Sequence, residues 1–254
     1  MKTLFITGAA NGIGLATARR FAAQGWFVGL YDIDREGLET LLASGEFPSA
    51  CGQYCDVTDR GSIDEAFAHF SSHSGGRLDL LLNNAGVLSS GKFEEISPQA
   101  NDRMVDINVK GLTNVAQAAF PLLRDTPGAT LINLCSVSSV HGIPLLAVYG
   151  ASKFYVNGLT EALNLEWAAY DIRVTSVKPP IVNTAMGHQL DPKLTKKLSA
   201  DMEPQDVAEA IQVALEGKRS SYLLGTIARL WSLADKLLPD SGRRWLVRHL
   251  VDQS

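Results

Sequence analysis

The glycine-rich segment near the N-terminus constrains the fold more than any other feature of the sequence. Residues 4–7 favour a β-strand, and residues 15–24 repeat apolar side chains at helical spacing. Between them lies Gly8-Ala9-Ala10-Asn11-Gly12-Ile13-Gly14. Glycines in such a turn let the backbone approach a pyrophosphate, whose negative charge is favoured at the N-terminus of the following helix. The segment therefore predicts a strand–turn–helix unit with a phosphate-binding loop. Its G-x-x-x-G-x-G spacing departs from the G-x-G-x-x-G fingerprint, and a glycine-rich turn alone is often only a turn.

The alternation of apolar runs with helix-like segments continues along the chain. Seven runs are candidate strands, at residues 4–7, 27–31, 52–55, 78–83, 130–136, 173–177 and 220–224. Strands separated by helices form parallel sheets that are covered on both faces, with right-handed connections. We therefore predict an α/β, doubly wound (Rossmann) fold with a seven-stranded parallel sheet. Its ligand crevice should lie at the carboxyl ends of the strands.

Composition indicates one globular domain spanning residues 1–254. The chain is 46% hydrophobic and 20% charged, without a linker, a repeat or a break in composition. The net charge of −4, with both signs spread along the chain, gives no reason to expect a nucleic-acid partner. The short apolar stretch at the N-terminus predicts no signal peptide, and no apolar run reaches the roughly 18 residues of a membrane span. Three cysteines are too few for a disulfide framework, so we expect a cytoplasmic location.

Asp32 ends the second apolar run, 18 residues beyond Gly14. That distance is close to the roughly 20 residues expected for a carboxylate that binds the adenine ribose of a dinucleotide. The alternative interpretation is a helix N-cap. A carboxylate here would repel the 2′-phosphate of NADP, and the loop carries no compensating base, so NAD is favoured. The nearby Arg35 keeps NADP possible.

Tyr149 and Lys153 are four residues apart on a predicted helix, which places the phenol and the ammonium on one face. A free tyrosine has a pKa of about 10. For the residue to exchange protons near neutrality, this pKa must fall by roughly 3, which requires about 4 kcal/mol of preferential stabilisation of the phenolate. A neighbouring lysine and a positive nicotinamide ring could lower it. Ser136, 13 residues before Tyr149, is the candidate that binds the substrate oxygen, with Ser138 and Ser139 as alternatives. The isolated Tyr-x-x-x-Lys spacing also suits an ordinary amphipathic helix start.

Taken in order, these residues resemble the short-chain dehydrogenase/reductase family, in its form of roughly 250 residues. The likeness covers about residues 3–224. It is carried by Thr7 and Gly8 through Gly14, Asp32, Asp56-Val57, Asn83-Asn84-Ala85-Gly86, Asn108, Ser136, Tyr149 with Lys153, and Pro179 followed by Thr184.

The resemblance implies roles for several further residues. Asp56 and Val57 would contact the adenine, and Asn84, Ala85 and Gly86 would pack beside the adenosine ribose. Asn108 would complete a catalytic tetrad with Ser136, Tyr149 and Lys153 by holding a water on the lysine. The remaining cofactor contacts would come from Gly8, Asn11, Gly12, Ile13 and Gly14 at the pyrophosphate and from Pro179, Ile181, Val182 and Thr184 at the nicotinamide. Where the family usually has Pro-Gly, this chain has Pro179-Pro180, whose second proline removes a backbone donor.

Residues 186–203 correspond to the family's variable substrate lid, which we expect to be mobile. It mixes Leu190, Leu194 and Leu198 with Lys193, Lys196 and Lys197. Residues 225–254 predict a tail of two amphipathic helices broken at Pro239-Asp240-Ser241-Gly242. The tail carries Trp231, Leu237, Leu238 and Trp245, for which we favour packing over a pocket cap, a subunit contact or a membrane-surface contact.

Three other features, a histidine pair, two cysteines and one loop histidine, are weighed for metal binding, redox chemistry or substrate contact. His69 and His73 have a helical spacing that could bind metal, but no acidic or cysteine ligand accompanies them in sequence, so we expect a solvated face and no metal site. Cys51 and Cys55 lack the C-x-x-C spacing, which favours structural burial. His141 lies between Ser136 and Tyr149 and is a candidate for substrate contact.

The sequence thus predicts hydride transfer between a nicotinamide cofactor and a secondary alcohol or its ketone or aldehyde, on an apolar substrate. The rival from another class is a noncatalytic nicotinamide-binding redox sensor. By analogy with relatives, which oligomerise through the helices near residues 101–123 and 149–170, a homodimer or homotetramer is expected. The substrate and its stereochemistry do not follow from the sequence.

Overall fold

The computed structural model describes residues 1–191, 194 and 202–250. Its centre is a seven-stranded sheet in the order β3-β2-β1-β4-β5-β6-β7, with every pair parallel. The strands are β1 Thr3–Thr7, β2 Phe27–Asp32, β3 Ala50–Tyr54, β4 Leu80–Asn83, β5 Thr130–Leu134, β6 Arg173–Lys178 and β7 Ser221–Leu223. The predicted fold class is confirmed, and every predicted strand overlaps an observed one.

Helices separate the strands and cover both faces of the sheet. They are α1 Gly12–Ala22, α2 Arg35–Ala43, α3 Arg60–Ser74, α4 Pro98–Val105, α5 Leu112–Arg124, α6 Ala147–Glu166, α7 Pro204–Glu216, α8 Thr226–Leu237 and α9 Asp240–Leu250. A π-helical segment, Asp106–Gly111, joins α4 to α5 without a break in the helical path. No helix in the described part of the chain has both the length and the apolarity needed to cross a bilayer.

The central strands are buried on both faces, so their side chains fill two separate cores. Phe5 and Leu81 pack into one core with residues of α3 and α5. Ile6 and Leu82, one residue further along each strand, pack into the other core. This alternation follows from the two-residue period of a strand. Each fully buried large apolar side chain contributes about 1.5–3 kcal/mol through removal from water.

Strand order reverses between β1 and β4, since the chain builds outward to β3 on one side and to β7 on the other. In parallel sheets a crevice opens at this reversal, outside the carboxyl ends of the strands. The loops after β1, β4, β5 and β6 meet there. The fold therefore brings the glycine loop and the residues preceding α6 to one place.

The tail forms the two predicted helices, α8 and α9. Trp231 packs against a cluster formed by Ile143, Leu146, Leu190 and Leu194, as the packing interpretation requires. That interpretation is wrong within this chain for Leu237, whose exposed fraction is 74%. Trp245 is 60% exposed. Leu238 is also classed among the exposed apolar side chains.

Candidate functional site

The glycine loop has a backbone that only glycine accommodates easily. Gly8 and Gly12 have φ angles of +69° and +54°, in the left-handed region. A Cβ atom on Gly14 would lie 2.0 Å from the carbonyl oxygen of Gly8, so a side chain there would displace the loop. Helix α1 begins at Gly12 and directs its first backbone N–H groups toward the crevice. The loop is thereby built for a negatively charged group.

Asn84, at the end of β4, fixes this loop. Its Nδ2 donates to the carbonyl oxygens of Thr7 and Gly8, both at 2.9 Å. In return, the hydroxyl of Thr7 accepts hydrogen bonds from the backbone N–H groups of Asn84 and Ala85, both at 3.0 Å. These four bonds tie the loops that follow β1 and β4 across the reversal point. The segment Asn84–Gly86 therefore forms a wall of the crevice as well as a support for the glycine loop.

Asp32 lies at the end of β2 and is 7% exposed. Its two carboxylate oxygens accept from the backbone N–H groups of Ala10, at 2.8 Å, and Asp34, at 3.0 Å. The N-cap interpretation of Asp32 is wrong, because Asp34 caps α2 by accepting from the backbone N–H of Gly37. Asp32 is thus held toward the glycine loop. The Arg35 guanidinium lies over the ring of Tyr54, 4.8 Å from its centroid.

A cavity of about 330 Å³ opens between these loops. Most of the predicted site residues line it, namely Gly8, Asn11, Gly12, Ile13, Asp32, Asp56, Val57, Asn84, Ala85, Gly86, Ser136, Tyr149, Lys153, Pro179, Ile181, Val182 and Thr184. Gly14 and Asn108 are not among the described lining residues. They lie behind the wall that Asn84–Gly86 forms. Residues predicted from seven separate chain segments therefore converge on a single space.

Tyr149 and Lys153 lie on one face of α6 and both reach the cavity. The Lys153 ammonium nitrogen is 5.6 Å from the centre of the tyrosine ring and donates to the carbonyl oxygen of Leu134 at 3.0 Å. Burial lowers the pKa of Lys153. Burial also raises the pKa of Tyr149 to about 12, and the nearby Ser136 hydroxyl lowers it by a smaller amount. In the protein alone, loss of water around the phenolate dominates the pKa of Tyr149. The predicted joint effect of Lys153 and a positive nicotinamide stays a prediction.

Ser136 and Ser138 both line the cavity just after β5. The Ser136 oxygen accepts from the backbone N–H of Ser138 at 3.2 Å. The hydroxyl of Ser138 is buried without a hydrogen-bond partner in the described structure. Ser139 does not line the cavity, and its hydroxyl donates to the carbonyl oxygen of Ser136 at 2.7 Å. Of the two alternatives to Ser136, the geometry therefore leaves Ser138.

Asn108 lies in the π-helical segment and is 1% exposed. Its side-chain oxygen accepts from the backbone N–H of Val87, and its amide donates to the carbonyl oxygen of Val87, both at 2.9 Å. The amide also donates to Ser152 at 3.2 Å. Because these bonds occupy the side chain, Asn108 holds the loop after β4 in place at Val87, beside Gly86, rather than presenting its amide to the cavity.

The stretch after β6 lines the cavity beside the glycine loop. The carbonyl oxygen of Pro179 accepts from the backbone N–H of Val137 at 3.1 Å. Thr184 accepts from the backbone N–H of Gly187 at 3.0 Å, and its methyl carbon lies 3.4 Å from the position of a Cβ on Gly12. The beginning of the predicted lid is attached through Ser90, which donates to the Gln189 carbonyl and accepts from the Asp191 N–H. The predicted residues Lys193, Lys196, Lys197 and Leu198 lie outside the described residues.

Sequence comparison agrees with this geometry. The profile of the family described as short chain dehydrogenase matches residues 2–195. The chain belongs to the short-chain dehydrogenase family. A 3alpha-hydroxysteroid dehydrogenase from Mediterraneibacter gnavus is 33% identical over 236 residues, which are 89% of this chain and 94% of the relative.

Two solved structures extend the comparison. A 3-ketoacyl-(acyl-carrier-protein) reductase from Brucella melitensis, complexed with NADH, has a TM-score of 0.79 and 27% identity and covers 87% of this chain and 95% of its own. An alcohol dehydrogenase from Thermococcus sibiricus, complexed with 5-hydroxy-NADP, has a TM-score of 0.79 and 25% identity. The match covers 90% of this chain and 97% of the neighbour's chain. The two structures were solved with different forms of the cofactor.

The sequence identified only the lid side, within residues 186–203, of the apolar wall of this short-chain dehydrogenase's cavity. That wall is formed by Leu88, Ile143, Leu146, Met186, Leu190 and Leu194. The available signal was the apolar run Ile143-Pro144-Leu145-Leu146 between Ser136 and Tyr149. Arg103 of α4 also lines the cavity and went unnoticed.

His141 is turned away from the cavity. Its Nδ1 lies 2.7 Å from a carboxylate oxygen of Asp235 on α8, and it is not among the described lining residues. The expectation of a substrate contact is therefore wrong for His141. The residue instead attaches the tail to the loop that precedes α6.

Proposed function

We propose that this short-chain dehydrogenase catalyses reversible hydride transfer between NAD(H) and an apolar secondary alcohol or its ketone. One observation carries the proposal: Ser136, Tyr149 and Lys153 face the same cavity as the glycine loop and Asp32. A phosphate-binding loop and a proton-transfer group in one crevice are what a nicotinamide-dependent oxidoreductase requires. A noncatalytic sensor would need only the loop.

The cofactor would extend along the cavity from Asp56 to Thr184. The backbone from Gly8 to Gly14 would hold the pyrophosphate, with Gly14 acting through its close packing on Gly8. Val57 and Asp56 would border the adenine, Asn84, Ala85 and Gly86 would border the ribose, and Pro179, Val182 and Thr184 would hold the nicotinamide. When bound, the nicotinamide supplies or accepts the hydride.

Asp32 supports NAD over NADP. Each of its oxygens accepts one backbone N–H, which leaves further lone pairs for ribose hydroxyls. A 2′-phosphate about 4 Å away would be repelled by about 4 kcal/mol at an effective dielectric constant of 20. Arg35, the base that kept NADP possible, lies over Tyr54 and is not among the described lining residues.

Tyr149 would exchange a proton at its phenolic oxygen with the substrate oxygen, which the hydroxyl of Ser136 would orient. Moving the pKa of Tyr149 from about 12 to neutrality takes about 7 kcal/mol of preferential stabilisation of the phenolate. The Lys153 ammonium and the charge of the oxidised nicotinamide are both positive and would act together. Asn108 would position Gly86 against Lys153, and any water on the lysine would be held by the Asn108 backbone.

The substrate pocket is apolar on the side opposite the glycine loop. Ile143, Leu146 and Leu190 form its wall, and Trp231 of the tail packs behind them. Such a wall binds a hydrocarbon skeleton and leaves a carbonyl to the polar side chains. The steroid substrate named for the Mediterraneibacter gnavus relative is of this chemical class.

A homodimer or homotetramer in the cytoplasm completes the proposal. Helix α6 leaves Phe154 and Leu165 exposed, at 43% and 79%, as expected for a helix that contacts another subunit. Light scattering after size-exclusion chromatography tests this, because a monomer at micromolar concentration would remove the assembly from the proposal.

The experiment that tests the function combines a cofactor titration with a substrate panel. NADH and NADPH binding would be followed by nicotinamide fluorescence, and apolar and polar ketones would then be added. Tyr149→Phe should bind NADH normally and lose turnover, while Tyr155→Phe, an exposed tyrosine on the same helix, should retain both. Equal turnover by the two variants would refute the assignment of Tyr149. Tight binding without turnover of any ketone would favour the redox sensor.

A further inference from the structure

Three potential metal ligands meet at the outer edge of the sheet, separate from the cavity. Cys51 comes from β3, which is an edge strand, and His69 and His73 come from the end of α3. The sulfur of Cys51 and one ring nitrogen of each histidine lie within 4.8 Å of one another. None of the three is among the described residues that line the cavity. The solvated-face interpretation of the histidines overlooked Cys51, because strand and helix are brought together only by the fold.

His73 has one ring nitrogen available to a metal. Its Nδ1 lies 2.8 Å from the carbonyl oxygen of His69. A carbonyl only accepts, so Nδ1 carries the hydrogen, and in the neutral ring Nε2 keeps its lone pair. Histidines that bind metals commonly donate their second nitrogen to a backbone carbonyl in this way, which fixes the tautomer and the ring orientation. His73 is exposed, so its ring can adjust toward a bound ion.

Tyr31 connects the other two candidate ligands, His69 and Cys51. Its hydroxyl lies 2.9 Å from Nδ1 of His69 and 3.6 Å from the sulfur of Cys51. The tyrosine is fully buried, and its ring stacks on Phe5 with 4.1 Å between ring centres, so the hydroxyl has a fixed position. With Nδ1 engaged by the phenol, Nε2 of His69 remains for a metal. The hydroxyl can donate to a thiolate, which only accepts.

We propose that Cys51, His69 and His73 form a Zn²⁺ site whose fourth ligand is water from the solvent. One thiolate and two imidazoles are ligands that zinc prefers in tetrahedral geometry. With Zn–N distances of about 2.0–2.1 Å and a Zn–S distance of about 2.3 Å, the ligand atoms would stand roughly 3.3–3.7 Å apart. The ligand atoms must therefore move closer together than the 4.8 Å within which the cluster now lies, which the exposed ring of His73 permits. Binding replaces the S–H bond of Cys51 with a Zn–S bond and releases the proton to solvent, without any redox change.

Such a site would join the edge strand to the helix that covers it. β3 has a strand partner on one side only, and Cys51 packs with residues of α3 in the core on one face of the sheet. Cys51 precedes the cavity residues Asp56 and Val57 on the same segment, and Tyr31 directly precedes Asp32. Zinc should therefore raise thermal stability and reduce motion at the Asp32 end of the cavity. This inference rests on the cluster's geometry and is independent of the proposed function.

Calorimetric titration of the metal-free, full-length protein with Zn²⁺ tests the site, together with the absorption spectrum after Co²⁺ addition. We expect one equivalent of Zn²⁺ to bind with a rise in the melting temperature. Co²⁺ should give tetrahedral ligand-field bands and a sulfur-to-metal charge-transfer band. Cys51→Ala should abolish the charge-transfer band, and Cys55→Ser, a buried thiol at the end of the same strand, should retain it.

Two further variants keep the test independent of folding defects. His73→Ala changes an exposed side chain and should weaken Zn²⁺ binding at least tenfold. Tyr31→Phe keeps the buried ring, removes only the hydroxyl, and should weaken binding by roughly 10–100-fold, as loss of an outer-shell partner does. Absence of stoichiometric binding to the wild-type protein, or binding that is unchanged in His73→Ala, would overturn the proposal. So would loss of the Co²⁺ charge-transfer band in Cys55→Ser but not in Cys51→Ala.

Discussion

Substitution of Asp32 by asparagine tests the cofactor assignment with a change of charge and almost none of shape. The Asp32 carboxylate accepts backbone hydrogen bonds from Ala10 at 2.8 Å and Asp34 at 3.0 Å. In Asp32→Asn, one oxygen becomes an NH₂ group, which cannot accept, and the ribose loses its charged acceptor. A hydrogen bond to a charged group contributes about 1.5–3 kcal/mol, so a loss of about 2 kcal/mol should weaken NADH binding by roughly 30-fold.

The effect on NADPH should have the opposite sign. Removing the carboxylate removes a repulsion of up to about 4 kcal/mol from the 2′-phosphate, so NADPH should bind more tightly than it does to the wild-type protein. The ratio of NADPH to NADH dissociation constants should therefore fall by more than about 30-fold. Fluorescence titrations of both nucleotides at one fixed ionic strength measure this ratio.

Asp34→Asn is the matched control, because Asp34 lies two residues away, is exposed and caps α2. Asparagine is a good N-cap, so this variant should keep both its stability and the wild-type cofactor ratio. If Asp32→Asn changes the NADH and NADPH affinities by the same factor, the change in affinity reflects a general effect on the folding of the glycine loop. The ribose assignment of Asp32 would then be refuted.

Three further predictions concern the proton-transfer group and the apolar wall. Tyr149→Phe should lower kcat by at least 10²-fold while NADH affinity stays within twofold, as measured by steady-state kinetics beside Tyr155→Phe; full activity would exclude the phenol as the acid/base. Burial raises the pKa of Tyr149 to about 12 in the free protein, and a positive nicotinamide must lower it in the complex, so NAD⁺ binding should release a proton. NAD⁺ affinity should therefore increase with pH between the pKa of Tyr149 in the complex and its pKa in the free protein. NADH affinity should not follow this trend, and a titration series in which Tyr149→Phe shows the same rise would assign the proton elsewhere. Ile143→Ala should raise KM for a bulky apolar ketone roughly tenfold or more and leave that of a small methyl ketone nearly unchanged, and an equal change for both would place the apolar substrate elsewhere.

Local patterns in the sequence were sufficient to predict the framework of the site. Each strand is an apolar run of its own, and the order of the loops after β1, β4, β5 and β6 follows from the rule for parallel sheets. The glycine loop was recognisable because Gly8, Gly12 and Gly14 each meet a steric requirement within a few residues of chain. The predictions that depended on a few neighbouring residues therefore agree with the structure.

Predictions about individual side chains failed where a distant residue decides the orientation. His141 pairs with Asp235, which is 94 positions further along the chain. Cys51 meets His69 only after α3 folds onto the sheet. The sequence could not tell whether Asp32 or Asp34 caps α2. An aspartate can act as a helix N-cap or face the glycine loop, and the two residues are only two positions apart.

The central claim is that Tyr149 and a nicotinamide act on one substrate carbon in this cavity, and transfer of a labelled hydride tests it most directly. The protein would be incubated with NADH carrying deuterium at C4 of the nicotinamide, on either face, and with the ketone that the panel identifies. We predict one deuterium at the carbinol carbon of the alcohol product from one of the two labelled cofactors. Tyr149→Phe should give none, although it binds the cofactor. Product free of deuterium with both labels, or equal labelling by Tyr149→Phe, would contradict the account.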